Sequence, residues 1–343
     1  MKFKLPFFIA EISANHNGDF KQATRLIKLA KECGADAVKI QTYTPDSMTL
    51  NSDKNFFKIK KGLWKGYKLW DLYNDAKTPY EWHKKLFQYA KKLNIKFFST
   101  PFDEDAVDFL ENLDCPFYKV ASFEMMDLIL IKKIAQTKKP IIISTGMASI
   151  KEISEAYNTA KRCGCKDITL LYCVSNYPSK LSDFNLNNIP ILKKKFKCRV
   201  GLSDHSTDNI VANTAVALGA EVIEKHIALS GQKKGLDIQF SLKGKEIKKF
   251  KDEINNVYRL KGKNSFFRSK TEKTSKLLRR SIFAVNSIRK GEIFTKINIR
   301  RIRPGNGIQP KYYCKLINKK SPKKFSKGEP IKKNILEKLK ILK

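Results

Sequence analysis

The chain has 343 residues, of which 42% are hydrophobic and 30% charged, so its composition fits a folded core and not a disordered protein. This length suits one large domain with a small one, or two domains of medium size. The apolar run before Glu11 is only about six residues, too short for a secretion signal, and no run approaches the roughly 18 residues of a membrane helix. We therefore expect a soluble, cytoplasmic protein that has no membrane partner.

The net charge of the chain is +36, and much of it lies near the C-terminus. Residues 261–343 hold 26 Lys and Arg against four acidic residues, a net of +22. Such a charge is typical of nucleic-acid binding, of attraction for anionic substrates, or of a lysine-rich solvated surface. We favour the solvated surface, because the segment lacks the aromatic-interleaved basic motif of an RNA-recognition module.

Seven cysteines are scattered along the chain, and their odd number does not fit a complete set of disulfides. The pair Cys163 and Cys165 does not by itself have a zinc-binding spacing. We expect reduced, mostly buried thiols, with Cys173 in a predicted strand as a filler of the core.

Short β-rich runs alternate with helix-like stretches along the first 260 residues. The predicted strands are 7–12, 37–43, 96–102, 117–122, 140–146, 168–174, 199–204 and 222–228. The first helix-like stretch carries an apolar stripe between a capping Asp19 and Gly34. Eight such units predict a parallel (β/α)8 barrel, with an open, doubly wound sheet as the alternative. The segment 44–80 breaks this rhythm, and we interpret it as an insertion over one face of the barrel.

Polar side chains stand at or just after the carboxyl ends of the predicted strands. They include Glu11, Lys39, Gln41, Ser99, Thr100, Lys119, Ser122, Ser144, Thr145, Ser175, His205 and His226. Parallel barrel strands end at one rim, and barrel active sites occupy that rim. Because a buried Lys or Glu without a partner is costly, packing alone does not explain this register of polar ends.

His205 and His226 end the last two predicted strands, and adjacent strands lie roughly 4.8 Å apart. Two imidazoles at that separation suit Mn²⁺ or another divalent ion, with open positions for water or a substrate carbonyl. Two hydrogen-bonded histidines that bind no ion are an equally open alternative. Asp204 would support His205 unless it points to the opposite face. We expect a structural role for His83 and leave the role of His16 open.

Lys39 and Lys119 end the second and fourth predicted strands. Together with Ser122, Ser144 and the backbone N–H groups of the turn 144–146, they suit a small phosphate or carboxylate. The chain has no P-loop motif. The residues therefore predict a small phosphorylated acid beside a metal-bound carbonyl.

The strings FFIAEISANHNGD, AVKIQTY, FSTPFD, YKVASFE, IIISTGMAS, VGLSDHS and EKHIAL, in that order, resemble the sialic acid synthases over nearly the whole chain. These enzymes condense phosphoenolpyruvate with an N-acylated sugar aldehyde, and C–O cleavage releases phosphate. Residues 69–87 resemble the branch that makes pseudaminic acid from 2,4-diacetamido-2,4,6-trideoxy-L-altrose. N-acetylneuraminate or legionaminate synthesis is the alternative within the family, and nucleic-acid binding through the basic C-terminal region is a distant one.

The resemblance implies a role for individual residues. His205 and His226 would bind the divalent metal, Mn²⁺ or Mg²⁺. Glu11, Lys39 and Lys119 would be catalytic, with Glu11 as the acid–base or water-positioning group. The remaining residues implied for phosphoenolpyruvate are Thr100, Ser122, Ser144 and Ser203, and those implied for the sugar are Gln41, Glu124, Tyr177 and Asp237. Ser175 stands where the family commonly has Asn, and Gly-Leu-Asp at 235–237 replaces the usual Gly-Pro-Asp.

Residues 279–307 resemble the small antifreeze-like (SAF) domain of these enzymes. The implied domains are a barrel at 1–265, a linker at 266–280 and a SAF domain at 281–343. The resemblance implies a homodimer with exchanged C-terminal domains, in which Arg303 contacts the partner's substrate. Since the sugar has a methyl group at C6, we also expect the aromatic residues Trp70, Tyr73, Tyr80 and Trp82 to cover its apolar side.

Overall fold

The computed structural model describes residues 4–262, 265–266 and 268–342. The chain divides into two compact units, residues 1–262 and 263–343. Within the described residues, every helix is too short or too polar to cross a membrane.

The first unit is a closed barrel of parallel strands. Its strands are β1 (Phe7–Glu11), β2 (Ala37–Thr42), β3 (Lys96–Pro101), β4 (Tyr118–Val120), β5 (Ile141–Ser144), β6 (Ile168–Cys173), β7 (Arg199–Asp204) and β8 (Val222–Ala228). Each pairs in parallel with the next, and β8 also pairs with β1. The predicted (β/α)8 barrel is therefore confirmed, and the open-sheet alternative is wrong.

Helices follow the strands around the outside of the barrel. They are α1 (Phe20–Glu32), α2 (Pro45–Met48), α3 (Leu69–Ala76), α4 (Tyr80–Lys92), α5 (Glu104–Glu111), α6 (Leu128–Gln136), α7 (Ile150–Arg162), α8 (Asn188–Phe196), α9 (Asn209–Ala217) and α10 (Lys245–Lys261), with a short β9 (Leu242–Lys243) beside β8. Local sequence explains their starts. The carboxylate of Asp19 accepts the Lys21 N–H at the start of α1, and Ser149 with Glu152 forms a capping box at the start of α7.

The core lies between the strands and the inner faces of the helices. All five residues of β1 are buried, as expected for a strand covered on both faces. At Gly201 in β7, a Cβ would lie 2.1 Å from the carbonyl oxygen of Val222 in β8. Only glycine allows this close approach of the two strands that lead to His205 and His226.

The segment after β2 is an insertion, as predicted, and contains α2, α3 and a hairpin-like flap at residues 58–68. Lys58 bridges to Lys68 across the base of the flap. The Ile59 N–H donates to the Tyr67 carbonyl at 2.9 Å, and the Gly66 N–H donates to the Ile59 carbonyl at 3.0 Å.

The second unit has its own small core. Its elements are α11 (Lys270–Thr274), β10 (Ser281–Ala284), β11 (Ile299–Ile302), α12 (Tyr313–Leu316) and α13 (Lys333–Lys338). β10 pairs antiparallel with β11. The buried apolar side chains include Ile282, Phe294, Leu316, Phe325 and Leu336. Apolar residues thus fold this unit even though much of its surface is lysine.

Candidate active site

A cavity of about 510 Å³ opens at the carboxyl ends of the barrel strands. Its wall contains most of the site residues expected from the sequence: Lys39, Gln41, Lys119, Ser122, Glu124, Ser144, Ser175, Tyr177, Ser203, His205, His226 and Asp237. Glu11 and Thr100 lie behind Lys39, whose Nζ is 2.5 Å from Glu11 Oε2 and 3.2 Å from Thr100 Oγ1. Arg303 belongs to the second unit.

Four charged side chains form an inner cluster inside the barrel: Glu11, Lys39, Lys119 and Glu224. All four are buried. Glu224 Oε1 lies 3.4 Å from Lys39 Nζ and 3.7 Å from Lys119 Nζ, and it accepts the Ser203 hydroxyl at 3.1 Å. Two cations and two carboxylates therefore share a space that contains little water, where their electrostatic interactions are strong.

Burial and charge shift the ionisation of this cluster in opposite directions. Burial raises the pKa of Glu224, but Lys119 and Lys39 outweigh it and hold that pKa at about 2. Burial raises the pKa of Glu11 above its ordinary value, against the opposing charge of Lys39. Burial also lowers the pKa of Lys119. The two carboxyl groups thus differ in acidity, which is the condition for dividing acid–base and electrostatic roles between them.

Several buried polar atoms at the cavity have no hydrogen-bond partner among the described residues. They include Ser144 Oγ, Glu124 Oε2 and Glu224 Oε2. Buried polar groups in native proteins are nearly always hydrogen-bonded. Unpartnered atoms gathered at one cavity therefore indicate a place for a ligand.

The two histidines face each other with ring centroids 5.4 Å apart. His205 Nδ1 donates to the Val174 carbonyl at 3.1 Å, which leaves its Nε2 available as a ligand atom. Asp237 Oδ2 lies 3.5 Å from His226 Nδ1. The described residues contain no group of three or more His, Cys, Asp or Glu arranged for a metal. Two imidazoles fit a divalent ion whose other positions are filled by water or substrate.

Asp204 points away from the cavity. Its Oδ2 lies 2.7 Å from Lys225 Nζ, which also donates to the Ser206 carbonyl at 2.5 Å. Its Oδ1 accepts the Ser206 N–H at 2.8 Å. This outer pair, Asp204 and Lys225, is buried on the other face of β7 and β8, so Asp204 does not support His205.

The other two histidines are buried away from the cavity wall. His83 Nδ1 donates to the Pro79 carbonyl at 3.1 Å, so its Nε2 accepts the Thr42 hydroxyl at 2.8 Å. The structural role expected for His83 fits these contacts. His16 Nδ1 accepts the Gly18 N–H at 3.1 Å. Burial lowers the pKa of each imidazole to about 4, so both are neutral at pH 7.

One end of the cavity is suited to an anion. The Gly146 N–H donates to Ser122 Oγ at 3.1 Å. A Cβ at Gly146 would lie 2.1 Å from Ser175 Oγ, so only glycine leaves this corner open. Hydroxyl donors here stand close to the two lysines of the inner cluster, a combination suited to a phosphate or carboxylate.

A second part of the cavity wall is apolar and comes from α2, the flap and α3. Its side chains include Met48, Ile59, Leu63, Trp64, Leu69, Leu72 and Tyr73. Of the four aromatic residues expected at the sugar, Tyr73 lines the cavity and the other three do not. Trp70 Nε1 donates to Asp46, Tyr80 packs on Phe109, and Trp82 packs on His16 and Phe20. That prediction was wrong for Trp70, Tyr80 and Trp82, because their contacts lie outside the cavity.

Sequence reasoning missed Glu224, Trp64 and the exposure of Cys173 to the cavity. Glu224 lies two residues before His226 in the same strand, so strand alternation places both on one face. That signal was available. Cys173 is buried in β6, as expected, and it also borders the cavity, with its Sγ 3.8 Å from His205 Nδ1.

Comparison with known proteins agrees with this geometry. The family model described as NeuB family matches residues 26–266, and the SAF domain model matches residues 279–337. The pseudaminic acid synthase of Campylobacter jejuni strain 81-176 is 44% identical over 331 residues, 96% of each chain. The pseudaminic acid synthase of Helicobacter pylori strain 26695 is 41% identical over 97% of this chain and 98% of its own.

A solved structure has the same architecture. The N-acetylneuraminic acid synthetase of Leptospira borgpetersenii, in complex with citrate, superposes with a TM-score of 0.72 at 30% identity. The match covers 79% of this chain and 90% of that one. The sequence resemblance is thereby confirmed, and the chain belongs to the NeuB family.

Proposed function

We propose that this protein is a pseudaminic acid synthase. It condenses phosphoenolpyruvate with 2,4-diacetamido-2,4,6-trideoxy-L-altrose and water, and it releases pseudaminic acid and phosphate. Relatives with that name are 41–44% identical over nearly the full chain, which is the observation that carries the proposal. The seven unpaired thiols fit a reducing compartment such as the cytoplasm.

The anion-binding end of the cavity, next to Lys39 and Lys119, holds phosphoenolpyruvate. Lys39 and Lys119 balance its charge, and the hydroxyls of Ser122, Ser144, Ser175 and Ser203 donate to its oxygens. Thr100, expected among these donors, instead holds Lys39 from behind by accepting a hydrogen bond from its Nζ at 3.2 Å. The unpartnered Ser144 Oγ supports this role, because a bound phosphate or carboxylate would satisfy it. In this chain Ser175 takes the position of the family's Asn, so it offers a shorter donor.

Carbon–carbon bond formation uses the enol of phosphoenolpyruvate as nucleophile. Its C3 attacks the aldehyde carbon of the sugar, and the protonated Glu11 carboxyl gives its proton to the aldehyde oxygen. C2 then becomes cationic until water adds to it. The ionised Glu224 stabilises that positive centre. Glu11, whose pKa burial raises, takes the proton of the attacking water. The adduct then loses phosphate by cleavage of the C2–O bond, and the C2 hydroxyl, whose proton leaves with the phosphate, becomes the keto group of the product.

A divalent ion, Mn²⁺ or Mg²⁺, would be held by His205 and His226. Imidazole ligands favour Mn²⁺ over Mg²⁺, which prefers oxygen. When bound, the ion supplies Lewis-acid polarisation of the sugar aldehyde. The Val174 carbonyl fixes the tautomer of His205, and Asp237 beside His226 orients the second ring.

The sugar lies across the mouth of the cavity against Gln41, Glu124, Tyr177 and Asp237. Burial raises the pKa of Glu124 to about 7, so a protonated fraction can donate a hydrogen bond at neutral pH. Gln41 Nε2 donates to Ser13 Oγ at 3.1 Å, which leaves its amide oxygen for a sugar hydroxyl or amide.

The assay that tests this proposal combines purified protein, phosphoenolpyruvate, Mn²⁺ and a panel of acetamido sugars, and it follows phosphate release. We expect turnover with the trideoxy altrose. Phosphoenolpyruvate labelled with ¹⁸O in the bridging position should give labelled phosphate. Turnover with N-acetylmannosamine alone would reassign the protein as an N-acetylneuraminate synthase, and turnover with the legionaminate precursor alone as a legionaminate synthase. No turnover with any sugar would defeat the enzyme proposal.

The active enzyme is a homodimer with exchanged C-terminal domains, and Arg303 of one chain contacts the substrate of the other. Mixing Lys119→Met with Arg303→Ala tests this arrangement. If each site needs both chains, random mixed dimers should recover roughly a quarter of wild-type activity from two inactive variants. Activity that stays at the level of the separate variants would rule out a shared site.

A further inference from the structure

The flap at residues 58–68 is fixed to the far side of the cavity through Trp64. The Trp64 Nε1–H donates to the Leu236 carbonyl at 3.1 Å, next to Asp237. The Trp64 ring also packs on Tyr177, with centroids 5.4 Å apart. Backbone hydrogen bonds among Ile59, Gly66 and Tyr67 hold the base of the flap. The flap is therefore held both at its base and, through Trp64, at its tip.

The part of the cavity wall that the flap completes is apolar, whereas the rest of the wall is polar. The apolar residues of the flap, α2 and α3 line one side, and Leu72 among them is buried. Lys61 is the charged exception on this side. The rest of the cavity wall carries the lysines, serines and histidines already described. A ligand that fills this cavity must therefore have one anionic or polar end and one apolar end.

The position of the flap relative to the histidines indicates which end of a bound sugar would contact the apolar wall. The Tyr177 ring lies 4.3 Å from the His205 ring and 5.4 Å from the Trp64 ring. The flap is therefore one aromatic ring away from the imidazole pair. A sugar whose aldehyde carbon sits at the imidazoles would extend its distal carbons toward Leu63 and Trp64.

On the basis of the proposed function, we propose that the apolar wall formed by Leu63, Trp64, Leu69 and Leu72 selects an acceptor sugar that lacks a hydroxyl group at C6. The methyl group of a 6-deoxy sugar fits among these side chains. A C6 hydroxyl would lose its water and find no donor or acceptor among them, which costs binding free energy. Apolar pockets discriminate such pairs by about 10- to 100-fold in kcat/KM.

The test uses two acceptors that differ only at C6, the trideoxy altrose and its 6-hydroxy counterpart. For wild type we expect a preference for the deoxy sugar on the order of 30-fold in kcat/KM. Leu63→Gln places an amide on the wall, and this substitution should reduce the preference by about 10-fold while the KM for phosphoenolpyruvate stays unchanged. Leu69→Gln provides a second, independent substitution on the same wall.

Trp64→Phe and Trp70→Phe form a matched pair. Trp64→Phe removes the hydrogen bond to Leu236 and should raise the sugar KM several-fold. Trp70→Phe removes a similar bond to Asp46 outside the cavity and should change neither sugar constant. Equal kcat/KM for both sugars in wild type, or an unchanged preference in both glutamine variants, would overturn the inference and leave the proposed function standing. Phosphate release with neither sugar would instead refute the proposed function.

Discussion

The inner cluster and the outer pair are two groups of buried charges that meet on β8, where Glu224 and Lys225 are consecutive, yet their hydrogen bonding differs. In the outer pair, Lys225 donates to Asp204 and to the Ser206 carbonyl at 2.7 and 2.5 Å. In the inner cluster, Glu224 Oε1 lies 3.4 and 3.7 Å from its two lysines. Its Oε2 has no hydrogen-bond partner within the described residues.

This difference separates a structural role from a functional one. A buried ion pair stabilises a fold only when its geometry is good and its remaining polar atoms are satisfied. The outer pair meets that condition. In the inner cluster Lys39 lies close to Glu11, but Glu224 is held at longer distances and its Oε2 is not satisfied. Poorly satisfied charges at a cavity are typical of active sites, where stability is sacrificed for ligand binding. We therefore expect substitutions in the inner cluster to affect turnover and substitutions in the outer pair to affect stability.

The largest effect should come from Lys119→Met. Turnover should fall by about 10³-fold, because the variant lacks a preorganised cation beside the reacting phosphate. Stability should change little, since Glu224 keeps Lys39 at 3.4 Å. Phosphate release and urea unfolding measure the two effects. A variant that loses cooperative unfolding would show that the inner cluster is structural after all.

Lys225→Met should have the opposite profile. It leaves Asp204 buried without its cation, and we expect a loss of about 3–5 kcal/mol in the free energy of unfolding. The double variant Asp204→Leu/Lys225→Met should recover most of that loss, because no unpaired charge remains. Urea unfolding of the single and double variants measures both. If the double variant is no more stable than Lys225→Met, the unpaired carboxylate is not the cause.

The buried histidine His83 should make the stability of the fold depend on pH. His83 has both ring nitrogens satisfied as the neutral form, and its pKa in the folded protein is about 4. In the unfolded chain a His has a pKa near 6.5, so as the pH falls the unfolded state takes up a proton before the folded state does. The contribution of neutral His83 to the free energy of unfolding is therefore full above pH 6.5 and is lost as the pH drops toward 4. At pH 5, each such His should lower the free energy of unfolding by about 2 kcal/mol relative to pH 7.

His83→Gln should therefore show a smaller loss of stability between pH 7 and pH 5 than wild type. Urea unfolding at the two pH values measures this difference, and the pH 7 value of each protein is its own reference. An identical loss in both proteins would contradict the neutral, buried assignment of His83.

An exposed ion pair should show the smallest effect. Lys248 Nζ lies 3.1 Å from Asp252 Oδ2 one turn along α10, and both side chains are more than half exposed. Lys248→Ala should change the free energy of unfolding by no more than about 0.5 kcal/mol. A larger change in urea unfolding would mean that burial does not decide the value of these pairs.

Much of the barrel could be predicted from the sequence, because its buried strands are short apolar runs that end in polar residues. The predicted bounds of all eight strands lie within two residues of the observed ones. The positions of His205 and His226 followed from those strand ends. Glu224 was missed because it lies inside its run and not at the end, although its parity with His226 places it on the same face.

The apolar wall could not be predicted in the same way. Trp64 reaches the cavity through a bond to Leu236, 172 residues away, and no local pattern encodes that contact. Trp70 and Trp82 are equally aromatic and near in sequence, but each packs against other partners. Which aromatic residue of an insertion faces the substrate depends on long-range docking, which periodicity does not reveal.

The pairing of β1 with β8 sets Glu11 opposite His226, so residues near the two ends of the first unit become neighbours. A nascent chain therefore has no complete catalytic centre until its eighth strand has emerged and docked on the first. Such distant contacts form late and slowly during folding. Ring closure must accordingly precede enzymatic activity, and only a chain with a closed ring can form an active dimer.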